Sequence, residues 1–562
     1  MGLCFAAVRR RCCLLSLCIA LGACSEEGPD LIFVGGPVLT VDSRNQVANA
    51  LAVKEGLILA VGSDSDILSL QTDHTDIIDL KGRTLMPGFI GAHEHPTLIA
   101  VFAGATDLSG FTHKNNDQVW NALRSAVADA DTGDWIYAGG LDPILTRDLE
   151  MPTRQILDKI APENPLVIVS QTLHSFWANS AAFAAAGIDK NTPDPGPGAY
   201  YERDSRGELT GFVAESLAAT PLLKTLKSPW PLLGRYEAAL DQLLANGFTS
   251  VASLGHNVPP LMARFASLKN MQPRIRQFFY LVEDELDYLP DSPDTENAYF
   301  RILGIKLWHD GSPYTGSMYT SAPYLDSALN KTLGIRAGSH GAPMFSANVL
   351  QEKIRNYSAA GWQLAIHSQG DASLREVTQS LKAVGELQGK RPVIRIEHAV
   401  ELPTHHIPAL AHQDVTVSFH INHILYYGDA LYNAIIGEQM AQRLLPVRSA
   451  FAQGLQPTLH ADSPMFPAAP FSLMQTAVTR ATSSGQRLNP GEAISIEQAV
   501  RAMTINGAYQ LRIADEAGSL EPGKWADLLI VDRNPYKTPA AELARIEVLA
   551  VLLNGKLHVG SL

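Results

Sequence analysis

Residues 85–95 are apolar up to their end, where two histidines stand, and read Leu85-Met86-Pro87-Gly88-Phe89-Ile90-Gly91-Ala92-His93-Glu94-His95. The run from Phe89 to Ala92 has the composition of a fully buried strand. Side chains two apart on an extended chain point to the same side, so His93 and His95 share a face and Glu94 points elsewhere. Two neighbouring imidazoles at the end of a buried strand form half of a site for a divalent metal ion.

From about residue 88 to 511, short β-rich runs alternate with helical patterns, which is typical of parallel βα units. Eight runs qualify as strands: 89–93, 249–254, 275–282, 302–308, 363–367, 393–397, 415–419 and 456–461. Eight is the number that a closed barrel needs. We therefore predict an α/β protein with a TIM-like (β/α)8 barrel over residues 88–511. The long gap after strand 1 predicts a large insertion at about 96–248.

Both ends of the chain have a different pattern, in which apolar and polar residues alternate between turn signals. This pattern covers residues 31–62 near one end and residues 526–532 and 548–559 near the other. It is typical of short antiparallel strands. We therefore expect residues 25–87 and 512–562 to form one small β-sandwich domain, built from both chain ends.

Polar side chains stand at the ends of four later strands of the predicted barrel. Lys306 lies in strand 4, His367 ends strand 5, His398 follows strand 6 and Asp462 follows strand 8. The carboxyl ends of barrel strands meet on one face, where catalytic residues collect. We expect these four side chains to converge there with the pair that ends strand 1.

The first 24 residues have the pattern of an export signal. Three arginines, Arg9 to Arg11, precede an apolar run from Cys12 to Ala23, which is too short to span a bilayer. The run ends in Leu21-Gly22-Ala23-Cys24, which resembles the lipobox of bacterial lipoproteins, and all 5 cysteines lie at or before Cys24. We predict a lipoprotein signal peptide over residues 1–24, lipidation of Cys24 and an N-terminal lipid anchor in the membrane. The expected location is the outer membrane of a Gram-negative bacterium, facing the periplasm. The alternative is an ordinary secretory signal and a secreted or periplasmic protein.

Composition excludes several classes of protein. Of 562 residues, 46% are hydrophobic and 18% are charged, so the chain can bury a large core and is neither disordered nor fibrous. The formal net charge of −13 would repel the negatively charged phosphates of a nucleic acid, so we expect no nucleic-acid partner. A homodimer is compatible with this composition.

Taken together, these motifs resemble the metal-dependent amidohydrolases of the amidohydrolase-3 branch, which includes YtcJ-like proteins and N-substituted formamide deformylase. The resemblance covers nearly all of residues 31–562, and its further distinctive stretches are 174–180, 304–311, 367–371, 397–399 and 518–528. Two stretches depart from the usual pattern. His460-Ala461-Asp462 replaces Gly-Ser-Asp, and Ser418-Phe419-His420-Ile421 replaces the usual Gln-Pro. These larger side chains should reshape the pocket.

The resemblance implies two divalent metal ions, expected to be zinc, with manganese or iron as alternatives. One ion would be held by His93, His95 and Asp462, and the other by His367 and His398. Lys306, carboxylated by CO2, would bridge the two ions, because an unmodified ammonium has no lone pair. The alternative for Lys306 is an ordinary ion pair with an acid such as Asp310, which would leave a mononuclear or differently arranged site.

By the same resemblance, a hydroxide between the two ions would attack the substrate, with Asp462 as general base and then general acid. Candidates for substrate binding, each of which could instead be a packing or surface residue, are His174, Trp177, Glu215, Trp308 and His423. The predicted activity is hydrolysis of a small molecule at a non-peptide C–N bond, in a linear amide such as an N-acyl amine or N-acyl amino acid. The alternatives are a cyclic amide or lactone hydrolase, a deaminase, and a non-catalytic surface lipoprotein that binds a ligand.

Overall fold

A computed structural model describes residues 28–146, 148–196, 199–226, 229–269, 272–293, 296–387 and 392–562. The predicted signal peptide and the lipidation site Cys24 lie outside the described residues. In the part of the chain that is described, no helix has both the length and the apolar character needed to cross a bilayer.

The central sheet has eight strands, and every neighbouring pair is parallel. In chain order the barrel strands 1 to 8 are Phe89–Glu94, Phe248–Leu254, Arg276–Leu281, Phe300–Trp308, Gln363–Ser368, Ile394–His398, Thr416–Phe419 and Thr458–Leu459. The predicted strands are confirmed in number and order. Strand 8 has two residues, fewer than the predicted run 456–461, and the amide of the next residue, His460, still donates to the carbonyl of Phe419 in strand 7 at 3.0 Å.

The sheet is nearly closed. Strands 1 and 8 are its two edges, and hydrogen bonds between the loops that follow them connect these edges. The amide of His95 donates to the carbonyl of Ser463 at 3.1 Å. The amide of Ser463 donates to the Glu94 carboxylate at 2.8 Å. The segments that follow strands 1 and 8 are therefore held side by side, although His95 and Ser463 are far apart in the chain.

Amphipathic helices cover the barrel. The helix Asp371–Val384 buries Leu374, Val377 and Leu381, whose spacing of three and four residues forms one apolar stripe. It ends at Gly385, whose φ of 81° suits glycine. The α-helices of the described chain are Asp64–Leu68, Pro96–Phe102, Asn116–Ala128, Arg154–Ile160, Ser180–Ala186, Glu215–Ala219, Pro229–Ala245, Pro260–Ser267, Ala328–Thr332, Ala347–Ala359, Asp371–Val384, Ile407–His412, Gly428–Ala430, Glu438–Ala441, Val447–Ala452, Pro470–Thr479, Ile496–Ala502 and Ile505–Gln510.

A second sheet lies in the chain between barrel strands 1 and 2. Its six strands, in spatial order, are Tyr200–Arg203, Leu209–Ala214, Ser175–Ala178, Leu166–Ser170, Ile136–Leu141 and Thr106–Asp107. It packs through a hydrophobic cluster that contains Leu123, Ile168 and Trp177. The segment that interrupts the barrel therefore has a core of its own, and it carries His174 and Trp177 on or beside one strand.

Two further sheets come from the ends of the chain. One contains Leu57–Gly62, Ala50–Lys54, Leu31–Val34 and Asp76–Asp79; the other contains Lys556–Gly560, Val548–Leu553, Leu528–Val531, Thr84–Pro87, Val38–Leu39 and Val47–Ala48. Strand Leu528–Val531 pairs antiparallel with Thr84–Pro87, which joins the two chain ends directly. Side chains of both sheets, Phe33 and Leu552 among them, share one buried cluster. A short antiparallel pair, Leu268–Lys269 with Gln272–Pro273, completes the strands of the described residues.

A buried arginine connects the terminal sheets to the barrel. Arg276, at the start of barrel strand 3, donates to both carboxylate oxygens of Asp527 at 2.7 and 3.0 Å. Its guanidinium also lies 3.6 Å from the ring centroid of Trp525. A planar guanidinium can make the two-pronged ion pair and the stacking contact together, which a lysine could not. The contact fixes the terminal sheets against the amino-terminal end of the barrel strand, away from the predicted site.

Candidate metal centre

Asp462 lies between histidines from several barrel strands. Its Oδ1 atom is 3.1 Å from Nε2 of His93 and 3.0 Å from Nε2 of His95. The Nδ1 atom of His93 lies 2.6 Å from the carboxylate of Glu397, which can only accept, so Nδ1 carries the proton. Nε2 of His93 therefore points a lone pair at Asp462. Within the described chain, neither this nitrogen nor Oδ1 has a hydrogen-bond partner.

Two lone-pair atoms 3.1 Å apart in a buried pocket repel one another unless a cation binds between them. Imidazole nitrogens and a carboxylate oxygen are the ligand types that zinc and related ions take. Around a tetrahedral ion with bonds of about 2.1 Å, neighbouring ligand atoms are about 3.4 Å apart, which is near the observed spacing. The donor set of His93, His95 and Asp462 therefore fits a divalent metal ion.

Glu397 holds the proton on His93 and is itself held by Arg395, whose Nε lies 3.0 Å from Oε1. Burial alone would raise the pKa of Glu397, but the Arg395 guanidinium and His93 outweigh it and lower that pKa to about 2. The carboxylate is therefore ionised at any ordinary pH. A carboxylate behind a ligating histidine fixes the tautomer and makes the opposite nitrogen a better donor to a metal.

The other oxygen of Asp462 faces a second set of imidazoles. Its Oδ2 atom is 3.9 Å from Nδ1 of both His398 and His420. His460 contacts both sets of residues. Its Nε2 atom lies 3.2 Å from Nδ1 of His398, and its ring is stacked on that of His93 with 4.4 Å between the ring centroids. In the described chain, three groups of ligand atoms lie within 4.8 Å of one another, namely His93, His95 and Asp462; His93, His398 and His460; and His398, His420 and Asp462.

His367 joins the cluster less directly. Its ring centroid is 4.3 Å from that of His398, but His367 belongs to none of the three groups found in the described part of the chain. Its Nε2 atom lies 3.4 Å from the carbonyl of Gly311 and 3.7 Å from Asp310. The structure thus places four of the predicted ligands around one point, namely His93, His95, His398 and Asp462, and His367 beside them.

Lys306 is buried, with 2% of its surface exposed, and no residue of the described chain forms a hydrogen bond with its Nζ atom. Burial lowers the pKa of Lys306 to about 8, although Glu397 and Asp462 act in the opposite direction. The alternative partner Asp310 instead accepts the backbone amides of Gln369, Gly370 and Tyr319, at 2.9, 2.9 and 3.0 Å. The lysine is therefore held near the cluster without a dedicated ion pair to Asp310.

The loop that carries Asp462 is held by Glu94, the residue between the two histidines of strand 1. Its carboxylate accepts the amide of Ser463 at 2.8 Å and the hydroxyl of Ser463 at 2.5 Å. Asp462 and His398 both have left-handed backbones, with φ of 55° and 70°. Such conformations cost energy and persist where the surroundings impose them, as they commonly do at functional sites.

A cavity of about 940 Å³ lies beside the cluster and is lined by four of the five predicted substrate-binding residues: His174, Trp177, Glu215 and Trp308. His174 and Glu215, both partly buried, form a pair at 2.8 Å, so the Glu215 carboxylate is directed toward His174. His256, which also lines the cavity, has its ring 6.5 Å from His95 and 5.5 Å from Trp308. The cavity therefore reaches the side of the cluster that His95 occupies.

His423, the fifth predicted substrate-binding residue, is buried next to the cluster, with its ring 4.1 Å from that of His420. Its Nδ1 atom is hydrogen-bonded to the hydroxyl of Tyr314, which does line the cavity. Because the phenol O–H is more acidic than an imidazole N–H, the tyrosine is the donor. The remaining nitrogen of His423 then carries a proton.

The ligand set predicted from the sequence omits Glu397, His420 and His460. A local signal was present for one of them, His460. His460 precedes the predicted ligand Asp462 by two residues, as His93 precedes His95. Glu397 directly precedes the predicted ligand His398, but its contact with His93 joins residues 304 positions apart and has no local signal.

A family model described as the amidohydrolase family matches residues 76–559 of this sequence. The chain belongs to the amidohydrolase family. The family resemblance inferred from the motifs is thus confirmed, and the protein is a hydrolase that acts on C–N bonds. Membership of this metal-dependent family agrees with a cluster of histidines and an aspartate that could bind a metal ion.

Several relatives match almost the whole chain. N-substituted formamide deformylase of Arthrobacter pascens is 29% identical over 547 residues, which cover 94% of this chain and 98% of that protein. YtcJ of Bacillus subtilis is 23% identical over 541 residues, which cover 94% of this amidohydrolase and 98% of YtcJ. A solved structure, an uncharacterized metal-dependent hydrolase from Pyrococcus horikoshii, has a TM-score of 0.72 at 23% identity, over 91% of this chain and 99% of that one. That likeness shows the fold.

Proposed function

We propose that this amidohydrolase cleaves a linear, non-peptide amide, such as an N-acyl amine or an N-acyl amino acid, with the help of divalent metal ions bound at Asp462. The observation that carries the proposal is the pair of unpartnered lone-pair atoms, Nε2 of His93 and Oδ1 of Asp462, 3.1 Å apart in the described cluster. The family supports hydrolysis of a C–N bond, and the relative named N-substituted formamide deformylase supports a linear amide.

His93, His95 and Asp462 would hold one ion, with His367 and His398 near the second; zinc suits these ligands, and manganese or iron would also bind. Such ions supply an activated water and a polarised carbonyl group. Asp462 then moves the proton. The ordinary pKa of an aspartate side chain is about 3.9, so the carboxylate of Asp462 is ionised at neutral pH and can accept a proton. It later returns the proton to the departing nitrogen.

We further propose that Lys306 carries a CO2-derived carbamate and bridges the two ions. Only a neutral amine reacts with CO2, and burial lowers the pKa of Lys306 to about 8, which increases the neutral fraction near neutral pH. A carbamate would also give a partner to a nitrogen that forms no hydrogen bond with the described chain. It would replace a cation next to the ions with an oxygen ligand of opposite charge.

The cavity residues would position the substrate. Trp177 and Trp308 offer flat apolar surfaces, and the pair of His174 and Glu215 offers a polar wall. His423 would donate from its free nitrogen toward the substrate carbonyl, with Tyr314 fixing the tautomer. A mostly apolar cavity with a few placed polar groups is the usual form of a small-molecule site.

The test is a hydrolysis screen with protein stripped of metal by a chelator and then reloaded with Zn²⁺ or Mn²⁺. N-acyl amines, N-acyl amino acids, lactams and lactones are incubated in parallel, and products are read by mass spectrometry. We expect cleavage of linear amides that requires metal and is lost in Asp462→Asn but kept in the surface control Asp131→Asn. Turnover of lactones or lactams alone, or activity that survives chelation, would contradict the proposal.

We also propose that the protein is an outer-membrane lipoprotein anchored through Cys24 and facing the periplasm, and that the two terminal sheets form one β-sandwich domain beside the TIM-like barrel. The lipobox-like Leu21-Gly22-Ala23-Cys24 supports the anchor. Metabolic labelling with a fatty-acid analogue tests it. The label should be lost in Cys24→Ser and kept in Cys18→Ser, and an unlabelled wild-type protein would count against the anchor.

A further inference from the structure

His420 follows barrel strand 7 and is fully buried, with its ring 5.6 Å from that of His398. It belongs neither to the ligand set predicted from the sequence nor to the residues that the proposed function uses. Its two ring nitrogens have different surroundings. Nε2 lies 2.9 Å from the carbonyl of Ala461, and Nδ1 faces Oδ2 of Asp462 at 3.9 Å.

The contact with Ala461 decides the tautomer. A backbone carbonyl can only accept a hydrogen bond, so Nε2 of His420 carries the proton and Nδ1 keeps its lone pair. The imidazole therefore donates on one side and presents a lone pair to Asp462 on the other. His93 has the same arrangement, with Glu397 in the place of the carbonyl. Ligating histidines in metal proteins have this pattern, in which the distal N–H is tied to a carbonyl or a carboxylate.

The distances also fit a shared ion. A separation of 3.9 Å between Nδ1 of His420 and Oδ2 of Asp462 is too long for a direct hydrogen bond. Two ligand atoms on one ion, each bonded at about 2.1 Å, lie about 3.0 to 4.2 Å apart, depending on the angle between the bonds. Nδ1 of His398, which also lies 3.2 Å from Nε2 of His460, is 3.9 Å from the same oxygen. The ligand atoms of His398, His420 and Asp462 all lie within 4.8 Å of one another. Two nitrogens and one oxygen thus surround one position.

We propose that His420 is a metal ligand in this protein and binds, with His398 and Oδ2 of Asp462, the ion on that side of the carboxylate. The inference rests on the proposed function, because it assigns one more residue to the same centre. Asp462 would then bind one ion through Oδ1, together with His93 and His95, and the other ion through Oδ2, together with His398 and His420. The second ion would then have His398, His420 and Asp462 as ligands from unmodified side chains, with His367 beside them, whether or not Lys306 is carboxylated.

The sharpest test is His420→Gln. The carboxamide of glutamine can still donate to the carbonyl of Ala461, but it has no atom that corresponds to Nδ1. The matched control is His412→Gln, which makes the same change at an exposed position. Metal-free wild type and both variants are titrated with Co²⁺ against a competing chelator, and X-ray absorption of the loaded proteins counts the imidazole ligands.

We expect His420→Gln to bind one of its ions at least about 10-fold more weakly and to lose imidazole ligands, while His412→Gln behaves as wild type. Unchanged affinity and an unchanged imidazole count in His420→Gln would overturn the inference. If that variant does not fold, a crystal structure of the Co²⁺-loaded wild type decides. Bonding distance between Nδ1 of His420 and an ion supports the ligand, and a gap of more than about 3 Å overturns it.

The two proposals fail in different ways. A wild type that binds Co²⁺ and cleaves amides, together with a His420→Gln variant of unchanged metal binding, overturns only the role of His420. A wild type that binds no divalent ion overturns the proposed function and this inference together.

Discussion

Nδ1 of His93 lies 2.6 Å from Oε2 of Glu397, and both side chains are completely buried. The two residues belong to barrel strands 1 and 6, so the contact crosses the inside of the barrel. It directs the free nitrogen of His93 toward Asp462. The electrostatic support comes from Arg395, which keeps Glu397 ionised.

Replacing Glu397 with glutamine should weaken metal binding about 10- to 100-fold. The neutral amide fixes the His93 tautomer less firmly, and the loss of the negative charge next to Nδ1 makes Nε2 a weaker donor to the metal. The measurement is a titration of metal-free protein with Zn²⁺ in the presence of a competing chelator. Glu386→Gln, at an exposed position, is the matched control and should bind metal as wild type does. Equal metal affinity in Glu397→Gln and wild type would show that the carboxylate does not support the ligand.

Asp462→Asn should lower kcat by about 100- to 10,000-fold, the range expected when a general base is removed. The carboxamide cannot accept the proton that the ionised carboxylate takes. Initial rates are measured on metal-loaded protein whose metal content has been determined, so that loss of the base is separated from loss of an ion. A variant with full metal content and near-normal kcat would exclude Asp462 as the proton acceptor.

Tyr314→Phe should reduce kcat/KM about 5- to 10-fold, which corresponds to one hydrogen bond that positions a partner. Burial raises the pKa of Tyr314 well above its ordinary value, so its hydroxyl stays protonated and can hold Nδ1 of His423. Without it, His423 can turn either nitrogen toward the substrate. Tyr357→Phe, away from the cluster, serves as the control. Kinetics identical in both variants would argue against a role for the tyrosine in positioning His423.

Glu401 predicts a pH dependence of stability. Its two carboxylate oxygens are buried without a hydrogen-bond partner in the described chain, and burial, with the nearby Asp371, raises its pKa to about 8. The folded protein therefore keeps this proton up to about pH 8, whereas the unfolded chain releases it above its ordinary pKa of 4.5. The contribution of Glu401 to the free energy of unfolding is therefore fully present below pH 4.5 and is lost as the pH rises toward 8.

Glu401→Gln removes that titration. Between pH 5 and 8, the free energy of unfolding of wild type should fall relative to the variant by about 1 kcal/mol for each pH unit. Urea unfolding at pH 5, 6, 7 and 8 measures the difference. Parallel curves for wild type and variant across this range would mean that Glu401 does not retain a proton in the folded state.

Local patterns in the sequence were enough to predict the barrel. Each buried strand is a short apolar run, and the side chain that follows it is set by the position where the run ends, as at His93 and Asp462. Because parallel strands in one closed sheet present their carboxyl ends together, the order of these residues also predicted a common site. The strands after the insertion could be recognised in the same way. A strand that is buried on both faces is a nearly continuous apolar run, which is visible in the composition of the segment alone.

The tertiary structure decided which atoms face one another. Glu397 meets His93 across the inside of the barrel, and Glu94 meets Ser463 and His420 meets Ala461 where the barrel strands end. The contacts with Glu397 and Ala461 choose the tautomers of His93 and His420, and the tautomer determines whether a nitrogen offers a proton or a lone pair. A strand pattern carries no information about partners hundreds of residues away, so the number of imidazoles around Asp462 became visible only in three dimensions.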